Sequence, residues 1–189
     1  MENKPKITFE KNIDTYRYSW RDFFKSFLKS WVAKVLIWVV VPFVIINFWF
    51  FRYDDFSSSC HIKVSPSITE WNNLKIKKGI KLLKNKLPED YKKMCSAVKS
   101  IRPELACGGM GGGCYNMNNP SQIVVSTIFR SKEYHTEMTA AIIVHEVCHL
   151  FQYKEGRQFN EGECYDELCR ALDTMEVRDD YYDRCIINK

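Results

Sequence analysis

From Val35 to Phe51 the chain carries no charged residue: V-L-I-W-V-V-V-P-F-V-I-I-N-F-W-F-F. Nothing else in the sequence restricts the fold as much. As a helix rising ~1.5 Å per residue, this run covers roughly 25 Å. Lys34 and Arg52 can snorkel at its two ends and complete a bilayer span. Trp31, Trp38 and Trp49 suit membrane interfaces, and Pro42 and Asn47 are tolerated within a membrane helix. A buried helix of a soluble core is seldom this long and this free of polar residues. The run therefore predicts a transmembrane signal anchor over residues 31–52.

A cleavable signal peptide fits poorly, because the basic region ahead is 34 residues long and no A-x-A site follows. Residues 1–34 hold eight Lys/Arg against four acids, a charge of +4, and the whole chain carries +5, so +1 is left for the rest. The basic excess belongs to the N-terminus and is not the footprint of a nucleic-acid binder. Lys/Arg precede the span and Asp54 and Asp55 follow it. By the positive-inside rule the N-terminus is cytoplasmic and the remainder is periplasmic or extracellular. Trp20, Phe23, Phe24, Phe27 and Leu28 recur at helical spacing, with Arg17, Arg21, Lys25 and Lys29 on another face. Residues 1–30 thus read as a basic amphipathic tail lying on the inner leaflet or extending the anchor.

All eight cysteines follow the span: Cys60, Cys95, Cys107, Cys114, Cys148, Cys164, Cys169 and Cys185. An even number confined to the outer segment points to as many as four disulfides in an oxidising compartment. No C-x-x-C occurs, which argues against a cysteine zinc site or a redox motif.

Residues 53–66 read as a polar linker and residues 67–189 as the outer domain. Ser67-Ile-Thr-Glu70 has capping-box form and predicts a helix to about Leu87. Pro88-Glu89-Asp90 opens a second helix that ends before Pro103. Cys107-Gly-Gly-Met-Gly-Gly-Gly-Cys114 lacks the Lys-Ser/Thr of a nucleotide loop and reads as a cysteine-flanked loop at the rim of a cleft. Ser121 to Phe129 is β-branched and short, hence a strand. Thr136 caps the next helix, which runs to about Lys154 and stops at Gly156. Asn160 caps the last one, residues 161–175.

Within the helix after the strand lies His145-Glu146-Val147-Cys148-His149, H-E-x-x-H. Helical spacing sets the two imidazoles one turn apart on one face with Glu146 beside them. Two imidazoles so placed can bind one Zn2+ ion, and the carboxylate can take a proton from water. The surrounding run is apolar, and burying two His and a Glu there calls for a reason. A third ligand has to come from the following helix. Glu161 shares a face with Cys164, Tyr165 and Leu168, whereas Glu163 shares one with Asp166, Glu167 and Arg170 and suits a capping role with Asn160. Helix phase favours Glu161 over Glu163. His61 and His135 are weaker candidates, and Cys148 reads as a disulfide clamp on the motif helix.

The motif, with the strand before it and Glu161-Gly-Glu-Cys164-Tyr165 after it, resembles the zincin metallopeptidases of gluzincin type. In that group the third ligand opens an E-x-x-small-(Asp/Asn/Tyr) pattern, which Glu161, Cys164 and Tyr165 follow, though Cys164 stands where alanine is usual. The likeness covers about residues 121–172. It implies an α+β fold: a small zincin-like domain, mainly helical with a short sheet, behind a single N-terminal transmembrane helix. It implies zinc held by His145, His149 and Glu161, with Glu146 as general base in peptide-bond hydrolysis. Tyr165 or Tyr153 would steady the oxyanion, and a peptide or protein substrate would add to the strand Ser121–Phe129 as an edge. Lying outside the span, the motif excludes cleavage within the bilayer. Two other readings are a non-catalytic disulfide-stapled surface protein with a structural or vestigial zinc site and a metal-free secreted domain. Oligomeric state and substrate identity are not written in the sequence.

Overall fold

The computed structural model describes residues 20–105, 107, 112–115, 118–129, 133–178 and 185. The chain divides into two units, Met1–Val44 and Ile45–Lys189. The division falls inside the apolar run rather than at the linker expected over 53–66.

In the first unit, α1 (Trp20–Lys29) is amphipathic, and Phe23 stacks on Phe27 at 6.3 Å. Ser30 breaks the helix, and its hydroxyl accepts the Ala33 N–H at 3.1 Å to start α2 (Trp31–Phe51). Of the tail expected over residues 1–30, residues 1–19 lie outside the described residues. The Ala33–Phe51 part of α2 has 19 residues and is the one described stretch long and apolar enough to cross a membrane. Residues 34–46 are exposed throughout, unlike the core helix of a soluble domain.

The second unit opens on the last turns of α2, which pass directly into β1 (Arg52–Asp55). A short 3-10 turn (Phe56–Ser58) leads to β2 (Cys60–Val64). Residues 53–66 are therefore largely a hairpin and not a linker, with Arg52 opposite Lys63 and Asp55 opposite Cys60. Cys60, Ile62 and Val64 point inward and His61 and Lys63 outward, the period-two alternation of a half-buried strand. Then come α3 (Asn73–Lys86), α4 (Pro88–Ala97), β3 (Ser100–Pro103), β4 (Gly113–Tyr115), β5 (Gln122–Val125), α5 (His135–Lys154) and α6 (Glu161–Thr174). The architecture is α+β: a five-stranded mixed sheet in the order β1-β2-β3-β5-β4. The β2–β3 and β3–β5 pairs are parallel, the β1–β2 and β4–β5 pairs antiparallel.

The helix predicted from Ser67 starts later, at Asn73. The Ser67 hydroxyl accepts the N–H groups of Thr69 and Glu70 in a turn of its own. Glu70 is drawn away from a capping role because its carboxylate is buried and accepts the Thr127 N–H at 2.9 Å, just past β5. The α5 helix begins at His135, one residue before the expected cap, Thr136. At its far end Gly156 has φ 67°, and the Arg157 N–H returns to the Gln152 carbonyl at 2.8 Å. That left-handed turn closes α5 and aims the chain toward α6.

The core lies among α3, α5, α6 and the sheet, with α5 at its centre. Ile142, Ile143 and Leu150 of α5 are fully covered, against Ile76, Ile80 and Leu83 of α3 and Leu168 and Leu172 of α6. Each such side chain contributes ~1.5–3 kcal/mol on burial. Four disulfides pair the eight cysteines: Cys60–Cys95, Cys107–Cys114, Cys148–Cys164 and Cys169–Cys185.

Candidate metal centre

The i, i+4 spacing on α5 places His145 and His149 side by side, Nε2 to Nε2 at 3.1 Å. The Asn160 side chain accepts the Glu163 N–H at 3.1 Å and so caps α6, leaving Glu161 as its first helical residue. Glu161 Oε2 then lies 3.2 Å from His149 Nε2 and 3.4 Å from His145 Nε2. These three ligand atoms form a group able to hold a metal ion. Glu163 turns away, pairing with Arg157 at 2.7 Å and accepting from Gln152 at 3.0 Å. His61 pairs with Asp54 on the hairpin, and His135 packs on Phe129 at the start of α5. Neither joins the group.

The donor set fits zinc. Donors ~2.0–2.1 Å from a tetrahedral ion stand about 3.3 Å apart, close to the three separations found here. The tautomer of His149 fits as well. Gln152 Oε1 accepts from Asn160 N–H and faces His149 Nδ1, both at 3.1 Å. An amide oxygen can only accept, so Nδ1 carries the proton and Nε2 presents a lone pair to the cluster. Burial, then the nearness of His149, lowers the pKa of His145, while the Cys164 backbone and Glu161 oppose them. A neutral ring is the form that ligates.

Glu146 is buried in the same cleft, which holds about 430 Å³ and is walled by Gly113, Tyr115, Ile142, Phe159, Tyr165 and Leu168 beside the ligands. Burial, then the charge of Glu161, pushes its carboxyl up to about 8. Its Oε2 has no hydrogen-bond partner among the described residues. This surrounding favours the neutral carboxyl, and the positive charge of a cation held by the neighbouring ligands would draw it back toward the carboxylate that a base requires.

No protein-family model, curated protein or solved structure matches this chain. The site must be understood from its own geometry.

Several contributors lay beyond the reach of the sequence. A Cβ on Gly113 would stand 2.5 Å from Glu146 Oε1, so any side chain there would make the Glu146 side chain or β4 shift. The cysteine-flanked loop was expected at the rim of a cleft, and its Gly112, Gly113 and Cys114 line this one. Phe159 stacks on the His149 ring at 5.1 Å, and Tyr115 meets both Phe159 and Tyr153. Tyr165 stands edge-on to His145 at 5.0 Å and walls the cleft; Tyr153 does not line it. The Cys148–Cys164 disulfide joins the motif to the helix bearing Glu161. The edge strand beside the cleft is β4; β5, expected as the edge, is interior, between β3 and β4.

Proposed function

We propose that this chain is a membrane-anchored zinc metallopeptidase of gluzincin type whose catalytic domain faces the periplasm or the cell exterior. The observation that carries the reading is the convergence of His145, His149 and Glu161 at 3.1–3.4 Å beside the buried carboxyl of Glu146. Four disulfides and the apolar helix α2 support a location outside the cytoplasm.

His145 Nε2, His149 Nε2 and Glu161 Oε2 would hold the ion. When bound, zinc supplies Lewis acidity that polarises a carbonyl and acidifies water. Glu146 Oε2 takes a proton from the attacking water and returns it to the leaving amine. The pairing edge for an extended peptide is β4 rather than β5, since β4 has one strand neighbour and lines the cleft. Tyr165, the tyrosine in the cleft wall nearest a ligand, is placed to steady the developing oxyanion better than Tyr153.

The test joins metal content to turnover. The purified chain should hold close to one zinc, and Glu146→Gln should keep it while cleavage of a broad peptide library falls by about 10²–10⁴. A wild-type zinc protein inert on that library would favour the non-catalytic surface protein, and a metal-free wild type would sink both.

A further inference from the structure

Three exposed apolar side chains close together in sequence lie outside the cleft lining. Ile68 is 95% exposed, Trp71 66% and Leu74 51%. These three residues lie within seven positions, ahead of and in the first turn of α3. Scattered exposed apolar side chains are ordinary, but a cluster including a tryptophan calls for an occupant.

The backbone settles where this cluster stands relative to the end of α2. No residue separates Phe51 from Arg52, so the sheet begins where the apolar helix stops. The β1–β2 pairing brings Lys63 back beside Arg52, and the chain leaves β2 at Val64 on that same end of the hairpin. Three residues later comes Ser67, followed by Ile68. The first turns of α3 then touch α2 directly. Asn73 Nδ2 donates to the Phe50 carbonyl at 3.2 Å, and Lys77 Nζ donates to the Trp49 carbonyl. These are last-turn carbonyls that a helix leaves without partners of its own, and two α3 side chains satisfy them. Leu74 follows Asn73 directly and Trp71 lies two residues before it, so the chain carries both close to the last turn of α2, where Trp49 is 76% exposed.

We propose that Ile68, Trp71 and Leu74 form a second membrane contact, seated in the interface of the outer leaflet beside the exit of α2. The proposal rests on the reading of α2 as the anchor and adds that the outer unit lies against the bilayer instead of standing clear on a tether. The occupant is lipid because the three residues adjoin the last turns of α2, where Ile45, Ile46 and Trp49 are exposed as well. Trp49 and Trp71 make a shared aromatic belt, the position tryptophan favours at a membrane boundary. Along α3, Lys78 and Lys81 follow Leu74 at i+4 and i+7 and are exposed, so that face passes from apolar to cationic. That order suits acyl chains first and phosphate headgroups next.

The experiment uses the full chain in phosphatidylcholine–phosphatidylglycerol vesicles. One variant keeps Trp71 alone (Trp20→Phe, Trp31→Phe, Trp38→Phe, Trp49→Phe) and a second keeps Trp38 alone. Both should be quenched by brominated acyl chains, and Trp71 should resist aqueous iodide. Quenching of Trp38 by bromolipid with Trp71 reached only by iodide overturns the contact and leaves the anchor standing. Failure of bromolipid to reach either removes the anchor and the contact together. Shielding of Trp71 from both quenchers means that protein covers it, which also overturns the proposal. Hydroxyl-radical footprinting of the unsubstituted chain in nanodiscs guards against misfolded variants. The ratio of oxidation at Trp71 to that at Phe56, which is 79% exposed on the hairpin turn, should fall several-fold below its value in the unfolded chain. An unchanged ratio rejects the contact.

Discussion

Gln152 Oε1 lies 3.1 Å from His149 Nδ1, one turn along the same helix. The same amide brackets the Asn160 peptide, accepting its N–H and donating to its carbonyl, each at 3.1 Å. One buried side chain thus sets the tautomer of a ligand on α5 and fixes the cap of the helix that carries Glu161. Gln152→Ala should weaken zinc binding about 10–100-fold, the usual cost of losing a partner behind a ligand. Chelator competition measures it, with circular dichroism to verify that the helices persist. Unaltered zinc affinity would leave Gln152 with a packing role only.

Gly113 packs against the Glu146 side chain with no room for a Cβ unless that side chain or the strand shifts. Gly113→Ala puts a methyl 2.5 Å from Glu146 Oε1, so the carboxyl or the strand has to move. Displacing a general base by about 1 Å can cost 10²-fold in rate. Zinc content should stay near that of the wild type, since the three atoms nearest the new methyl all belong to Glu146. Comparing turnover with metal stoichiometry separates the two; full activity would show that β4 yields at no cost.

The Cys148–Cys164 disulfide closes a loop with a sequence separation of 16 between the motif and the third-ligand helix. Such a loop is worth about 3 kcal/mol in chain entropy. The paired substitution Cys148→Ala with Cys164→Ala should lower stability by roughly that amount. It should also weaken zinc retention, because the start of α6 loses its covalent tie to α5. Urea unfolding with and without chelator reads both effects. Equal zinc affinity in the two proteins would confine the disulfide to stability.

Asp55 supplies a pH-dependent contact away from the site. Its carboxylate pairs with Lys84 at 2.6 Å and accepts from Ser57 and Tyr91, in that order of effect, which holds its pKa well below the usual range. A depressed folded-state pKa stabilises the fold above the unfolded value of ~3.9, and that contribution fades as pH falls from there toward the folded value. Asp55→Asn should therefore be less stable than wild type at pH 7, with the gap narrowing below about pH 4. Urea midpoints at neutral and acid pH test it. A gap that does not change with pH would assign the loss to packing.

Much of the local structure was readable because it repeats along the chain. The apolar run named α2, the i, i+4 histidines named one face of α5, Asn160 announced the start of α6, and the even number of cysteines announced the disulfides. The hairpin was not readable. Cys60, Ile62 and Val64 alternate, yet only pairing with β1 makes a strand of a short polar stretch. Ser67 carried a good capping signal, but Glu70 was claimed by Thr127, 57 positions away.

The sequence by itself determined the apolar helix, the two histidines one turn apart, and the helix phase that brings Glu161 rather than Glu163 to them. Each is a matter of spacing within one element, where geometry follows from the helical repeat. Only the tertiary structure decided that β4 is the edge at the cleft, that Gly113 abuts Glu146, that Phe159 stacks on His149, and that Asn73 and Lys77 reach the end of α2. Each of these depends on which distant segments pack together, and that choice is made by the shared burial of the whole core.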